Sequence, residues 1–149
     1  MSAPKRLAII FISFFAFLQI IRFEKTNPQT DPSLEIKADR QVMSILKASC
    51  YDCHSNNTVW PWYSNIAPAS WIVISDVNNA RKWLNFSEWE QYDEARKTKL
   101  KKLIYREIIT AMPMHLYLAA HEDAKMSEQQ KRIIQEWTGI KSGSVTMRD

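Results

Sequence analysis

Apolar and polar positions recur along this chain with a helical period, and no segment alternates convincingly at a period of two. The first apolar block, Leu7–Ile21 (LAIIFISFFAFLQII), is uncharged and offers only Ser13 and Gln19 as polar breaks. Lys5 and Arg6 precede it and Arg22 ends it. A basic start followed by an apolar run is the layout of an export signal. The run is shorter than the roughly 20 apolar residues of a spanning helix. However, Phe23 with Arg22 and Lys25 can extend it at the headgroup level, and no small-residue cleavage site follows. Residues 1–23 are therefore expected to form a retained signal-anchor that crosses the membrane once. Residues 24–33 (EKTNPQTDPS) are polar, carry Pro28 and Pro32, and are expected to link the anchor to the domain.

From Leu34 the pattern turns helical. Val42, Ile45, Leu46 and Ser49 recur at i, i+3, i+4 and i+7, which predicts a helix to about Ala48 that delivers Cys50 at its end. Pro68 suits the first turn of a second helix reaching about Trp83, with Trp71, Ile74 and Val77 as its buried stripe. Ser87 with Glu90 has the pattern of a capping box and predicts a third helical region. That region continues past a break near Tyr92–Asp93 through Leu100, Leu103, Ile104 and Ile108 to Thr110, before Pro113. Ser127 with Gln130 opens the last helix, which carries Ile133, Ile134 and Trp137 and stops at Gly139. The expected architecture is an all-α domain over 34–140, with four or five short helices and ordered loops. Residues 141–149 read as a flexible polar tail.

Composition narrows the class. The chain has 149 residues, enough for one domain, and its 46% hydrophobic and 24% charged residues exclude disorder as the main state. Two glycines argue against a phosphate-cradling loop or a dinucleotide-binding turn. The net charge of +4 does not indicate nucleic acid, because Lys5, Arg6 and Arg22 supply most of it and the rest is near neutral. The run Lys97, Lys99, Lys101, Lys102 reads as a solvated helix face.

The chemistry lies in the two cysteines, which stand in Cys50-Tyr51-Asp52-Cys53-His54. This is the Cys-x-x-Cys-His arrangement of covalent c-type haem attachment. Two thiols three apart reach the two vinyl groups on one edge of the porphyrin, and the adjacent imidazole is placed as an axial iron ligand. A structural disulfide would not need the histidine. A thiol oxidoreductase site would sit in a βαβ setting, which the pattern lacks. A zinc site would need further ligands, and His115 with His121 are poorly spaced to supply them.

For the opposite face of the iron the candidates are Met112, Met114, Met126, Met43, His115 and His121. Met112 follows the Leu100–Thr110 helix and precedes Pro113, which stiffens the loop that aims its sulfur. Met114 is the close rival, while any lone methionine also serves as core filling. The ring-rich segment Trp60-Pro61-Trp62-Tyr63, with Trp71, is expected to wall the haem, its indoles and the Asn56 or Asn65 amides reaching the propionates. Core packing and a docking face for a redox partner are the competing uses of these rings.

The stretch Cys50–Trp89 resembles the haem-binding domain family of bacterial c-type cytochromes. Cys50–Asn56, Trp60–Tyr63, Ala67–Trp71 and Leu84–Trp89 match its motifs in order, as do Met112-Pro113, Tyr117, His121, Ala124, Ser127 and Trp137. The match covers roughly 40–138. The family often has Met-Pro-Pro where this chain has Met112-Pro113-Met114, and a glycine where it has Ala80. The resemblance implies a mono-haem, cytochrome c-like helical domain. Cys50 and Cys53 are then the thioether attachments, His54 the proximal ligand and Met112 the distal one. The resemblance brings a cofactor and not a reaction; with the ligand set and the N-terminal segment, the expected function is a membrane-anchored one-electron carrier at the bacterial inner membrane. Its haem domain would face the periplasm and exchange electrons with redox partner proteins. A haem-based sensor or gas-binding domain and a peroxidase-type enzyme are the alternatives.

Overall fold

The computed structural model of the chain describes residues 2–140, and the expected tail over 141–149 lies outside the described residues. Among the described residues there are seven α-helices, short 3-10 turns and no strand, so the all-α expectation holds.

Helix α2 (Arg40–Ser49) starts where the Asp39 carboxylate accepts from the Gln41 and Val42 amides, both at 2.9 Å. Its stripe of Val42, Ile45 and Leu46 is buried as the periodicity predicts. Cys50 ends α2 and opens the single turn α3 (Tyr51–His54). Helix α4 (Ala69–Trp83) follows Pro68 and buries Ile74 and Val77. Trp71, expected in that stripe, instead donates its indole N–H to the Ile21 carbonyl at 2.8 Å.

The Ser87–Glu90 capping box does not form. Asn85 caps a 3-10 turn over Phe86–Gln91, and the buried Ser87 hydroxyl accepts from the Asn56 amide at 3.0 Å. The reason lies in Phe86 and Trp89, both buried: three residues per turn places them on one side. Helix α5 (Glu94–Thr110) begins afresh at Asp93 and buries Leu100, Ile104 and Ile108. A short α6 (His115–Leu118), which the pattern did not show, follows. Helix α7 (Glu128–Thr138) opens on the expected Ser127–Gln130 capping box and closes at Gly139 with φ of 73°, a conformation only glycine adopts freely.

Helix α7 lies against α2 and α5, and α3 lies against α4. Leu46, Phe86, Val42 and Ile134 are fully buried at the centre, where Tyr51 stacks on Phe86 at 5.5 Å. Burying each such side chain stabilises the fold by about 1.5–3 kcal/mol.

The expected spanning anchor is not met. Helix α1 (Ala3–Leu18) has 16 residues, and no helix among the described residues is long and apolar enough to cross a membrane. It stops early because Gln19 turns its side chain to the domain: its amide donates to the Ala67 carbonyl at 3.1 Å and accepts from the Ala67 amide at 2.9 Å. Leu7, Ile10, Phe11, Phe14 and Phe17 are all exposed, so beyond Lys5 and Arg6 α1 is apolar around its circumference and covered by nothing among the described residues. Residues 24–33 are largely irregular but fastened. Arg81 donates to the Thr26 carbonyl at 2.7 Å and to the Asn27 amide oxygen at 3.1 Å.

Candidate functional site

Between α3, α4, α5 and the segment Met112–Met114 lies a cavity of about 600 Å³, the size range of a cofactor site. Cys50, Cys53 and His54 line it from α3 and its junction with α2. Met112, Pro113, Met114 and Met126 line it from the C-terminal half. The sequence thus places its principal candidates in one chamber, although the methionines are far from the cysteines along the chain.

The α3 wall is organised by hydrogen bonds. His54 Nδ1 lies 3.1 Å from the Leu84 carbonyl oxygen. A carbonyl only accepts, so Nδ1 carries the proton and Nε2 is left with a free lone pair. Burial lowers the His54 pKa, against the opposing pull of that carbonyl, which keeps the ring neutral and able to ligate. Ser55, fully buried, donates to the Tyr51 carbonyl at 2.8 Å and accepts from the Asn57 amide at 3.0 Å. Asn85 donates to the Asn56 amide oxygen at 2.8 Å, and Arg81 donates to the Ser55 carbonyl at 2.7 Å. The loop after His54 is therefore held to the segment after α4.

Both cysteines are free thiols. Burial, with the neighbouring Cys53, pushes the Cys50 thiol up to about 12. Burial first, then Asp52 and Asp76, pushes Cys53 up to about 11. Thiols held protonated are poor ligands and poor nucleophiles toward a disulfide. Among the described residues no three His, Cys, Asp or Glu side chains come together to hold a metal ion, and no strand precedes the pair. The zinc and thiol-redox readings gain nothing from this arrangement.

The remaining candidates separate. Met43 packs against the core. Neither His115 nor His121 lines the cavity. His121 stacks on Tyr117 at 4.3 Å and its Nε2 lies 2.9 Å from the Tyr63 hydroxyl. The ring-rich segment stands apart from the cavity. Trp62 is 75% exposed, Trp60 is half-buried, and Tyr63 lines a second, smaller pocket. Asn56 and Asn65 are bonded within the protein, Asn65 to Lys25 and Asn56 to Asn85. The cavity walls also include residues the sequence reading did not assign to the site. Trp83, 79% exposed, Ala80 and Asp76 line the cavity from α4, and Lys99, Leu103, Arg106 and Glu107 from α5. Their signal was helical spacing: Asp76, Ala80 and Trp83 stand at i, i+4 and i+7, beside the stripe that faces the core.

A family model described as a haem-binding domain matches residues 12–139, from within α1 to the end of α7. No curated protein and no solved structure matches the chain.

Proposed function

The chain belongs to the haem-binding domain family, and from that premise we propose that it is a c-type cytochrome carrying single electrons. Cys50 and Cys53 would hold one haem through thioether bonds, with His54 and Met112 as its iron ligands. The observation that carries this reading is that all four residues line one cavity of about 600 Å³. The chemistry of the donor set fits the group. Thioether formation would add S–H across a vinyl double bond, and both cysteines are free thiols that line the cavity. The iron needs a neutral imidazole, and the Leu84 carbonyl fixes the tautomer that leaves Nε2 available.

The bound group supplies a one-electron redox step. The chain supplies the rest. A methionine sulfur in place of a second imidazole raises the potential, and burial of the site from water raises it further. The packing of α7 on α2, the helix that leads into the cysteine pair, supports a cytochrome c-like arrangement. Thioether attachment occurs after export, so the domain works at the periplasmic face of the bacterial inner membrane, exchanging electrons with redox partner proteins. Helix α1, apolar on all sides, with Lys5 and Arg6 in its first turns and Arg22 just beyond it, holds the protein at that membrane.

The test is the full chain expressed in a host that matures c-type cytochromes. The expected result is an intact mass equal to chain plus haem after denaturation. The ferric protein shows the weak far-red band of methionine-ligated haem. A bare-chain mass with no Soret absorbance overturns the reading.

A further inference from the structure

The second pocket, about 350 Å³, lies beside the central cavity, and Cys53, Asp76 and Met114 line both. Its body is apolar, walled by Ile72, Val73 and Val77 of α4 and by Leu116 of α6. Ile72 and Leu116 are 50% and 74% exposed, so the mouth is apolar too. The pocket's polar lining is Asp52, Thr58, Tyr63, Tyr117 and Asp76. Asp52 accepts from the Tyr117 hydroxyl at 2.7 Å and the Val59 amide at 3.0 Å, Thr58 donates to the Asp52 carbonyl, and the Tyr63 hydroxyl lies 2.9 Å from His121 Nε2, whereas the Asp76 carboxylate has no hydrogen-bond or ion-pair partner among the described residues. An apolar slot with one unpartnered carboxylate fits a flat ring bearing a hydroxyl group. The segment that ends α1 is fastened to the start of α4, which forms one wall of the pocket. Gln19 clasps Ala67, and Trp71 donates to Ile21, within one turn of Ala69 and Ile72 on the pocket wall.

We propose that this pocket binds a lipid-soluble hydroquinone, its ring between α4 and α6 and a hydroxyl donated to Asp76, next to the edge of the haem site at Cys53. The proposal rests on the reading of the chain as a one-electron haem protein. The overall reaction balances: one hydroquinone and two oxidised copies of the protein yield one quinone, two reduced copies and two protons released to solvent.

The experiment uses the full haem-bearing chain in detergent. A redox-inert 4-alkylphenol is titrated by calorimetry, and reduction by a short-chain benzohydroquinone is followed by absorbance. Both are expected to saturate. Val73→Trp and Ala120→Phe, filling the pocket from opposite walls, are expected to weaken phenol binding by roughly tenfold or more. Haem content, visible spectrum and far-UV circular dichroism should stay as in the parent. Asp76→Asn, which keeps the shape, is expected to weaken it by about threefold to tenfold, the loss of a charge-assisted hydrogen bond. Non-saturating phenol binding, or binding unchanged in both filled variants, overturns the proposal. So does binding to a haem-free Cys50→Ala, Cys53→Ala chain but not to the haem-bearing one, which would make the pocket part of the haem seat. Calorimetry reads the pocket independently of redox, so its failure is distinct from a failure of the chain to acquire haem.

Discussion

The wall bearing Cys50, Cys53 and His54 and the wall bearing Met112 and Met114 face one cavity but are held in different ways. The first is tied by buried polar contacts. Ser55 closes α3, Arg81 grips the Ser55 carbonyl, and the Leu84 carbonyl fixes the imidazole. The second hangs from the end of α5, where the Ala111 and Met112 amides both donate to the Glu107 carbonyl at 2.8 and 2.7 Å. Beyond that point Met112 is 36% exposed. The difference matches what the proposed function would ask of each wall. Covalent attachment would need two thiols and an imidazole in fixed relation, and the fold itself supplies that support. A thioether ligand is flexible and weakly directional, so it tolerates a looser mount.

The largest effect is expected on the rigid wall. Cys50→Ala with Cys53→Ala should abolish covalent haem, leaving a chain whose denatured mass equals the polypeptide alone. Intact-mass measurement with the Soret absorbance of the denatured protein reads this directly. Retention of covalent haem would mean that the preorganised wall serves another purpose.

Next comes the looser wall, where the two methionines compete. Met112→Ala should remove the far-red band of the ferric protein while leaving haem mass unchanged, and Met114→Ala should leave the band in place. The reverse pattern would assign the sulfur to Met114, which lines both pockets. Because Met112 lies in a partly exposed segment, its loss should cost the fold itself less than about 1 kcal/mol, measured by urea denaturation of the haem-free variants.

These two walls also differ in how far they were legible in the sequence. The Cys50–His54 spacing is local, and chemistry dictates it, so it could be read directly. Met112 could be reached through its helix and Pro113, but Met114 stands equally near, and one turn of chain does not tell two sulfurs apart. The helical core was legible because Val42, Ile45, Leu46, Ile104 and Ile108 repeat at helical spacing. The 3-10 turn at Phe86 was not, since Ser87 and Glu90 mimic a capping box whose serine is taken by Asn56 across the fold. The placement of the aromatic loop was not legible for the same reason. Trp71 finds its partner at Ile21, a contact that local pattern does not encode. Composition signalled an apolar α1, but Gln19 ends the helix through Ala67, again at long range.

The support behind the rigid wall gives the third test. Arg81 makes four hydrogen bonds, to Ser55, Thr26, Asn27 and Thr58, and so binds α4 to the segment after His54 and to residues 24–33. Arg81→Leu should destabilise the domain by about 2–3 kcal/mol, because the carbonyls it serves are left unpaired. The urea midpoint should fall at unchanged slope. The yield of covalent haem should fall with it, whereas weakening the methionine segment should leave that yield intact.

The smallest effect is expected away from both walls, and it separates stability from site geometry. Ser127 accepts from the Gln130 amide at 3.2 Å and the Gln130 side chain returns to the Ser127 amide at 2.8 Å, closing the start of α7. Ser127→Ala removes one half of that box and should cost about 1 kcal/mol. Helix α7 packs on α2, which leads into Cys50, yet Ser127 touches neither wall. The variant should therefore shift the thermal midpoint by a few degrees while the haem yield and the far-red band stay as in the parent. If the band weakened in step with that loss, the methionine segment would be reporting global stability. Its looseness would then be a property of the whole fold, and the contrast between the two walls would reduce to one of degree.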